Sequence, residues 1–242
     1  MTDTREGGPV LVRVTDPETD DSALAALLTA AGLRPGRWPV VVLIGGAAGL
    51  GAPPGGLIWQ ALFREGLLAG IEQAGACLVD GGTNSGVMAL AGAAHAAAGA
   101  TFPLVGVVAE GTVRWPGHTP ALPDAADLEP HHTHVVAVPG TQWGAESPWL
   151  ARVATVLAGT APSVSVLING GGIALDDATH SVAAGRPTVV VAGTGRTADE
   201  LVAARHGPPP NDVGDESIEQ LPGDQLQSLA ASPLLEVIEG GT

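Results

Sequence analysis

The sequence predicts an α/β protein: a Rossmann-like, doubly wound, mainly parallel sheet of about seven strands with helices on both faces. Three observations predict it. Short apolar runs alternate with helix-like segments along nearly the whole chain. Most of those runs are continuous rather than alternating, as expected for strands covered on both faces. Several of them end in glycine-rich turns that open a helix-like pattern, the arrangement that puts ligands at the carboxyl ends of strands.

In order, the strand-like runs are Val10–Val14, Val40–Ile44, Ala76–Val79, Leu104–Val108, Val135–Val138, Val164–Ile168 and Thr188–Val191. Between them lie the helix-like segments Ser22–Ala31, Leu57–Ala74, Gly86–Ala98, Trp149–Leu157, Leu175–Ala184 and Ala198–Arg205. Gly86–Ala98 is almost all Ala and Gly, so it can press closely on a sheet. Two stretches break the alternation. Residues from about Glu110 to Pro130 are rich in Pro, Gly and acids and carry no period, which reads as a lid or a mobile loop. Residues 207–219, which include Pro208-Pro209-Pro210, read as an exposed linker. A short helix at Asp224–Ala231 and a final edge strand at Leu234–Ile238 follow it. No internal repeat is present. The 242 residues therefore read as one domain, 1–242, large enough for a substantial core.

Composition narrows the function. A formal charge of −15 argues against nucleic acid or an anionic membrane as partner. All ten basic residues are Arg, which removes Schiff-base chemistry and any P-loop lysine. An anionic small molecule would have to be held by Arg, backbone amides or a metal. Cys77 is the only cysteine, set in an apolar run, so it reads as a buried structural thiol and no intrachain disulfide is possible. The segment MTDTREGGPV lacks the apolar core of a signal peptide, and no run of about 20 apolar residues is free of charge or turn signals. The expectation is a cytoplasmic protein.

Candidate chemistry sits in the glycine turns. Gly81, Gly82 and Gly86 surround Thr83, Asn84 and Ser85, where small residues admit a ligand and the polar ones can meet phosphate oxygens. The alternative, a turn needed only for close helix packing, stays open. Gly193, Thr194 and Gly195 precede Arg196, which can hold a diphosphate or carboxylate in bidentate fashion, with Thr197 and Asp199 at the helix start. Asp199 can cap that helix or accept a ribose hydroxyl. A third turn, Asn169, Gly170 and Gly171, follows another strand, and Gly45 and Gly46 close a fourth. The stretch Gly45–Gly51 lacks the G-x-G-x-x-G fingerprint of a dinucleotide site, and Ser85 and Ser181 lack a nucleophile-elbow context. His132 and His134 have the spacing of zinc ligands on a strand, yet no completing ligand set stands nearby. They read as hydrogen-bonding histidines at the start of a strand, with no metal and no cofactor expected.

Four blocks carry a family resemblance. GGTNSGVM within Asp80–Met88, LEPHHTHV within Leu128–Val138, the Val166–Gly172 turn and GTGRTAD within Gly193–Glu200 are similar, in order, to blocks of the TRPM-type branch of the SLOG superfamily. The similarity spans roughly residues 38–205. It implies a Rossmann-like domain binding a nucleotide derivative, ADP-ribose first among candidates. Gly81, Gly82, Thr83, Asn84 and Gly86 would then meet the ligand, Gly193, Gly195 and Arg196 would complete the pocket, and His134 would lie nearby. A homodimer is also implied. The superfamily's phosphoribohydrolases carry PGGxGTxxE, which falls on Asn169–Asp177; here Pro is Asn169, the second-turn Gly is Ile173, Thr is Ala174 and Glu is Asp177. That departure favours binding over catalysis. The alternative is hydrolysis of an N-glycosidic bond with Asp177 or Glu200 as acid or base.

Overall fold

In the computed structural model the described residues are 2–3, 8–46, 62–120, 122–206 and 222–239. Their strands are β1 (Thr2–Asp3), β2 (Val10–Arg13), β3 (Val40–Gly45), β4 (Cys77–Asp80), β5 (Leu104–Ala109), β6 (Val113–Arg114), β7 (Ala126–Asp127), β8 (His134–Val138), β9 (Ser163–Ile168), β10 (Thr188–Ala192) and β11 (Leu235–Glu239). The helices are α1 (Asp21–Ala30), α2 (Ala69–Ala74), α3 (Gly86–Ala98), α4 (Ser147–Ala158), α5 (Gly172–Ala183), α6 (Arg196–His206) and α7 (Gly223–Ala230), with a π-helical stretch, Leu62–Leu68, running into α2.

One sheet runs β1-β2-β8-β5-β4-β3-β9-β10-β11. Eight of its strands are parallel, and only the two-residue β1 pairs antiparallel, at the edge beside β2. The fold is the α/β, Rossmann-like, mainly parallel sheet that the alternation of runs predicts. The two strands beyond the seven apolar runs are the minimal β1 and the expected edge strand β11. Continuous apolar strands become doubly covered ones, and all six residues of β5 are buried.

Two cores lie on opposite faces. On one, Leu24 and Leu28 of α1, Leu150, Val153 and Leu157 of α4, Leu175 of α5 and Leu201 of α6 pack on Val42, Ile44, Val79, Val107 and Val136. Each fully buried Leu is worth about 1.5–3 kcal/mol relative to exposure, so the face that α1, α4, α5 and α6 share is the main anchor of the sheet. On the other, Phe63, Leu68 and Ile71 join Val87 and Ala91 of α3 against Leu43, Leu78 and Leu104. The small side chains of α3 let it lie close to the strands, and β3 meets it directly at Gly45, where a Cβ would stand 2.8 Å from Val87 Cγ1.

The excursion after β5 differs from the expected lid or mobile loop. Its described residues form the parallel pair β6/β7 and an antiparallel bridge from Thr83 to Leu128. Val113, Trp115 and Leu128 pack over Val108, Val135 and Ala137, so the segment is a third layer on the sheet. Its strands are two residues long, too short for a period to register. Residues 57–61 of the expected second helix and the expected linker at 207–219 lie outside the described residues, as do residues 47–51 after Gly46. Among the described residues no helix is long and apolar enough to cross a membrane.

Candidate functional site

After β3 the chain adds β4, β5 and β8 on one side, then crosses back to add β9, β10 and β11 on the other. The strand order therefore reverses between β3 and β9, and the crevice at their carboxyl ends is where this architecture holds ligands. Three turns meet there. Gly46 follows β3, and a Cβ on it would stand 2.9 Å from Asn169 Oδ1 and 3.0 Å from the Gly170 oxygen. Gly170 in turn lies against Thr197, 3.0 Å from the position of an added Cβ to the Thr197 Cβ, and Gly195 lies against Asn169 Nδ2. The turns after β3, β9 and β10 thus form one surface, with the start of α3 beside Gly45.

Asn169 is the knot between two of them. Its N–H donates to Thr194 Oγ1 at 2.8 Å, its Nδ2 donates to the Thr194 oxygen at 2.7 Å, and its carbonyl accepts from Ala198 N at 3.1 Å. Thr197 Oγ1 donates to the Gly171 oxygen at 3.0 Å. Asn169 and Arg196, with φ of 59° and 53°, are the only non-glycine residues with left-handed backbone among the described residues. Side chains rarely adopt that region without a local reason, and such outliers cluster where geometry serves a function.

Arg196 uses that conformation to reach the neighbouring turn. Its guanidinium lies over Gly171, where a Cβ would fall 2.8 Å from Nη2. Gly171 is the N-cap of α5 and supplies no side-chain bond to the first-turn amides. Ser85, the N-cap of α3, likewise makes no side-chain cap bond, its hydroxyl instead standing 3.0 Å from Thr83 Oγ1. Unpaired amides at the positive end of a helix attract anions. A guanidinium over one of them adds a full charge and a planar fork. The amides of Gly193 and Gly195 are different: both donate to Asp199, at 2.7 Å and 3.0 Å. Asp199 closes its own turn through the two amides that precede α6.

The turn after β4 is spent largely on packing. Asp80 is fully buried and its Oδ1 accepts from Gly82 N at 2.8 Å. Gly82, at φ 65°, crosses β5 so closely that its own Cβ would stand 3.1 Å from Gly106 Cα. Asn84 N donates to the Asp127 oxygen and Ser85 N to the Thr83 oxygen, both at 2.8 Å. Of this turn, Gly82 and Thr83 are buried, whereas Asn84 is exposed and Gly81, Ser85 and Gly86 are half-buried.

Beneath it lies a buried acid–imidazole–acid group. His132 is fully enclosed, with Nε2 2.7 Å from Asp80 Oδ1 and Nδ1 2.7 Å from Glu129 Oε2. Burial pulls the imidazole down, but the charge and hydrogen bond of Asp80, then Glu129, overcome it and hold His132 at about 9. Burial pushes Glu129 up, yet hydrogen bonds from His132 and His131 leave its carboxyl below the ordinary value. The carboxylate rests on Gly92 of α3, where any Cβ would overlap it. The group ties β4, α3 and the segment before β8 together.

His134 is not brought to the glycine turns. It is the first residue of β8, level with Val10 and Val105, and so sits at the amino edge of the parallel strands, the end opposite the crevice. Its Nδ1 lies 2.8 Å from Thr133 Oγ1 and its Nε2 3.3 Å from the Ala31 oxygen. His132 precedes β8, so the two rings do not share a strand face; among the described residues no group of three or more His, Cys, Asp or Glu is placed to hold a metal. Cys77 is buried and burial pushes its thiol up to about 12, which leaves no nucleophile there.

Asp177 and Glu200 lie on different helices, α5 and α6. Asp177 Oδ1 is enclosed at the start of α4. Burial raises its carboxyl to about 7; the Ser147 hydroxyl opposes the shift, and the charges of Glu146 and Asp176 add to it. Glu200 is raised more gently by burial, against the attraction of Arg196. The sequence reading missed the pairing of Asp80 with His132 and the charge that Glu146 sets beside Asp177. The available signal for the first was an Asp at a strand end, directly before two glycines, in a chain with one Glu-Pro-His-His run.

The fold and site define a Rossmann-like α/β protein whose reversal of strand order brings together three glycine turns, an uncapped helix start and the Arg196 guanidinium. Residues 38–239 match the family described as SLOG in TRPM, prokaryote, and the chain belongs to that family. A comparison with curated proteins returns no match.

Proposed function

We propose that this chain binds a nucleotide-derived ligand of the ADP-ribose type in the crevice between β3 and β9. The observation that carries the reading is Arg196: a left-handed residue whose guanidinium lies over the uncapped start of α5. A phosphate there would meet the first-turn amides of α5 and the guanidinium fork together. Asn84 and the first-turn amides of α3, beside Gly45, are suited to a second anionic group one turn away. Gly45, Gly46, Gly170 and Gly171 supply the close backbone approach, and Asn169, Thr194 and Thr197 fix the turns. Membership of the SLOG family supports a nucleotide-related ligand.

The test is a melting series with ADP-ribose, NAD and AMP, each mixture also assayed for released base. A ligand at 100 times its dissociation constant stabilises by about 2.7 kcal/mol, or roughly 5–10 °C at this size. A shift without base release, abolished by Arg196→Ala, is the expected result. No shift with any of the three would refute the reading.

A second reading, N-glycosidic hydrolysis, has one observation in its favour. Asp177 at about 7 would carry a proton at neutral pH, as a general acid needs. Base release abolished by Asp177→Asn would establish it in place of the first.

A further inference from the structure

The turn that carries Arg196 is conformationally expensive. Gly193, Gly195 and Arg196 have φ of 77°, 90° and 53°, three left-handed residues among four in succession. Left-handed backbone costs an ordinary side chain about 1–2 kcal/mol, so Arg196 holds it only if the surrounding bonds leave no easier arrangement. Those bonds come from two side. From β9, Asn169 grips Thr194 through both its backbone N–H and its amide. From within α6, Asp199 takes the N–H of Gly193 with Oδ1 and that of Gly195 with Oδ2.

Successive backbone amides converging on one point form a concavity that accepts anions. Here the concavity is filled by the protein's own carboxylate. An incoming phosphate would have to displace two hydrogen bonds and approach a like charge. The first-turn amides of α5 have no such occupant, and Arg196 stands over them.

We propose that Asp199 is the positioning residue of the anion site: it locks the Gly193–Gly195 turn so that Arg196 is delivered over Gly171, and it directs the ligand's phosphate to the start of α5 instead of its own turn. The role of Asp199 toward Arg196 stands on the geometry; its role toward the phosphate rests on the ligand reading above. Asp199 touches no ligand: it acts by placing Arg196 and by occupying the Gly193 and Gly195 amides.

The experiment reads both. All ten basic residues are Arg, so arginine-labelled protein shows the guanidine Nε–H signals of only ten residues, with Arg196 assigned by its loss in Arg196→Ala. In ligand-free Asp199→Ala the Arg196 signal should lose its heteronuclear NOE, and the affinity for ADP-ribose, and for pyrophosphate as a minimal probe, should fall about tenfold, the equivalent of 1.4 kcal/mol. In an Arg196→Ala background the same change should cause no further loss of affinity, because the placing of Arg196 has nothing left to act on. Asp199→Asn keeps one acceptor and should fall between, which also covers a failure of the alanine variant to fold.

An unchanged Arg196 signal overturns the inference, whatever the ligand result. Affinity equal to or above wild type in Asp199→Ala overturns it too, by showing the freed amides to be the better cradle. An equal loss in the Arg196→Ala background reduces Asp199 to a structural part. If wild type binds neither probe while the Arg196 signal responds, the ligand reading fails and the hold of Asp199 on Arg196 survives.

Discussion

His132 Nε2 lies 2.7 Å from Asp80 Oδ1, inside a fully buried contact that joins the end of β4 to the residue two places before β8. The other ring nitrogen faces Glu129, and with the ring raised to about 9 between two carboxylates it is an imidazolium at neutral pH that donates from both nitrogens. Two acids share one cation, and the whole group lies under the first glycine turn. Removing the cation would leave two carboxylates buried together, whereas removing either acid leaves a balanced pair.

Stability should therefore fall at alkaline pH. His132 is raised from 6.5 to about 9, so its stabilisation is complete below about pH 6.5 and is lost as pH climbs through 9. The swing amounts to about 3 kcal/mol. The chain has no Tyr and no Lys, and Cys77, pushed up to about 12 by folding, weakens the fold only above its ordinary value of 9.0, so few other groups contribute below pH 9. Melting curves from pH 6.5 to 9 should decline in wild type and stay nearly flat in His132→Gln, which starts about 3–5 kcal/mol lower. A wild-type curve that stays flat would contradict the imidazolium.

Gly92→Ala should destabilise, against the ordinary helix preference. In an open helix the change gains about 1 kcal/mol; at Gly92 the new Cβ would overlap the Glu129 carboxylate. The expected cost is about 2–4 kcal/mol from overpacking and a disturbed ion group. Gly70→Ala in α2, where a Cβ meets nothing within 4 Å, is the control and should gain up to about 1 kcal/mol. Urea denaturation of the two variants checks the contrast; equal effects would refute it.

Asp177→Asn should help most where the wild-type carboxyl is forced to ionise. Its folded value is raised from 3.8 to about 7, so the folded state holds the proton more tightly and loses ground as pH rises across that interval. The variant should match wild type near pH 4 and exceed it by about 2–3 kcal/mol at pH 8, discounted for partial solvent access. Urea midpoints at the two pH values measure it. An advantage already present at pH 4 would mean that packing, not ionisation, sets the difference.

Much of this was legible in the sequence because it is written in periodicity. Continuous runs such as Leu104–Val108 marked doubly covered strands, and Gly46, Asn169 and Gly195 ended runs that the sheet then placed side by side. What stayed hidden depends on contacts rather than period. The Glu110–Pro130 stretch folds through two-residue strands that no window can detect. His132 and His134 look equivalent two residues apart, but β8 begins between them, so one ring turns inward to Asp80 and the other lies at the far edge of the sheet. Asp199 could have capped a helix or met a ribose, and its hold on the Gly193 and Gly195 amides is visible only in the distances.

Gly171→Ala separates the anion site from the fold. Gly171 has φ of −163°, extended backbone open to any residue, so the substitution strains nothing in the main chain. Its new Cβ would fall 2.8 Å from Arg196 Nη2, the mobile end of a long side chain, which can swing aside. Stability should stay within about 0.5 kcal/mol of wild type. Affinity for ADP-ribose or pyrophosphate should drop about tenfold, since the guanidinium leaves the α5 amides and its fork no longer meets the phosphate. The slope of binding against salt should also flatten, because a screened, displaced charge contributes less. Calorimetric titration at two salt concentrations, beside a melting curve, reads all three. Unchanged affinity would show that the guanidinium does its work elsewhere than over Gly171.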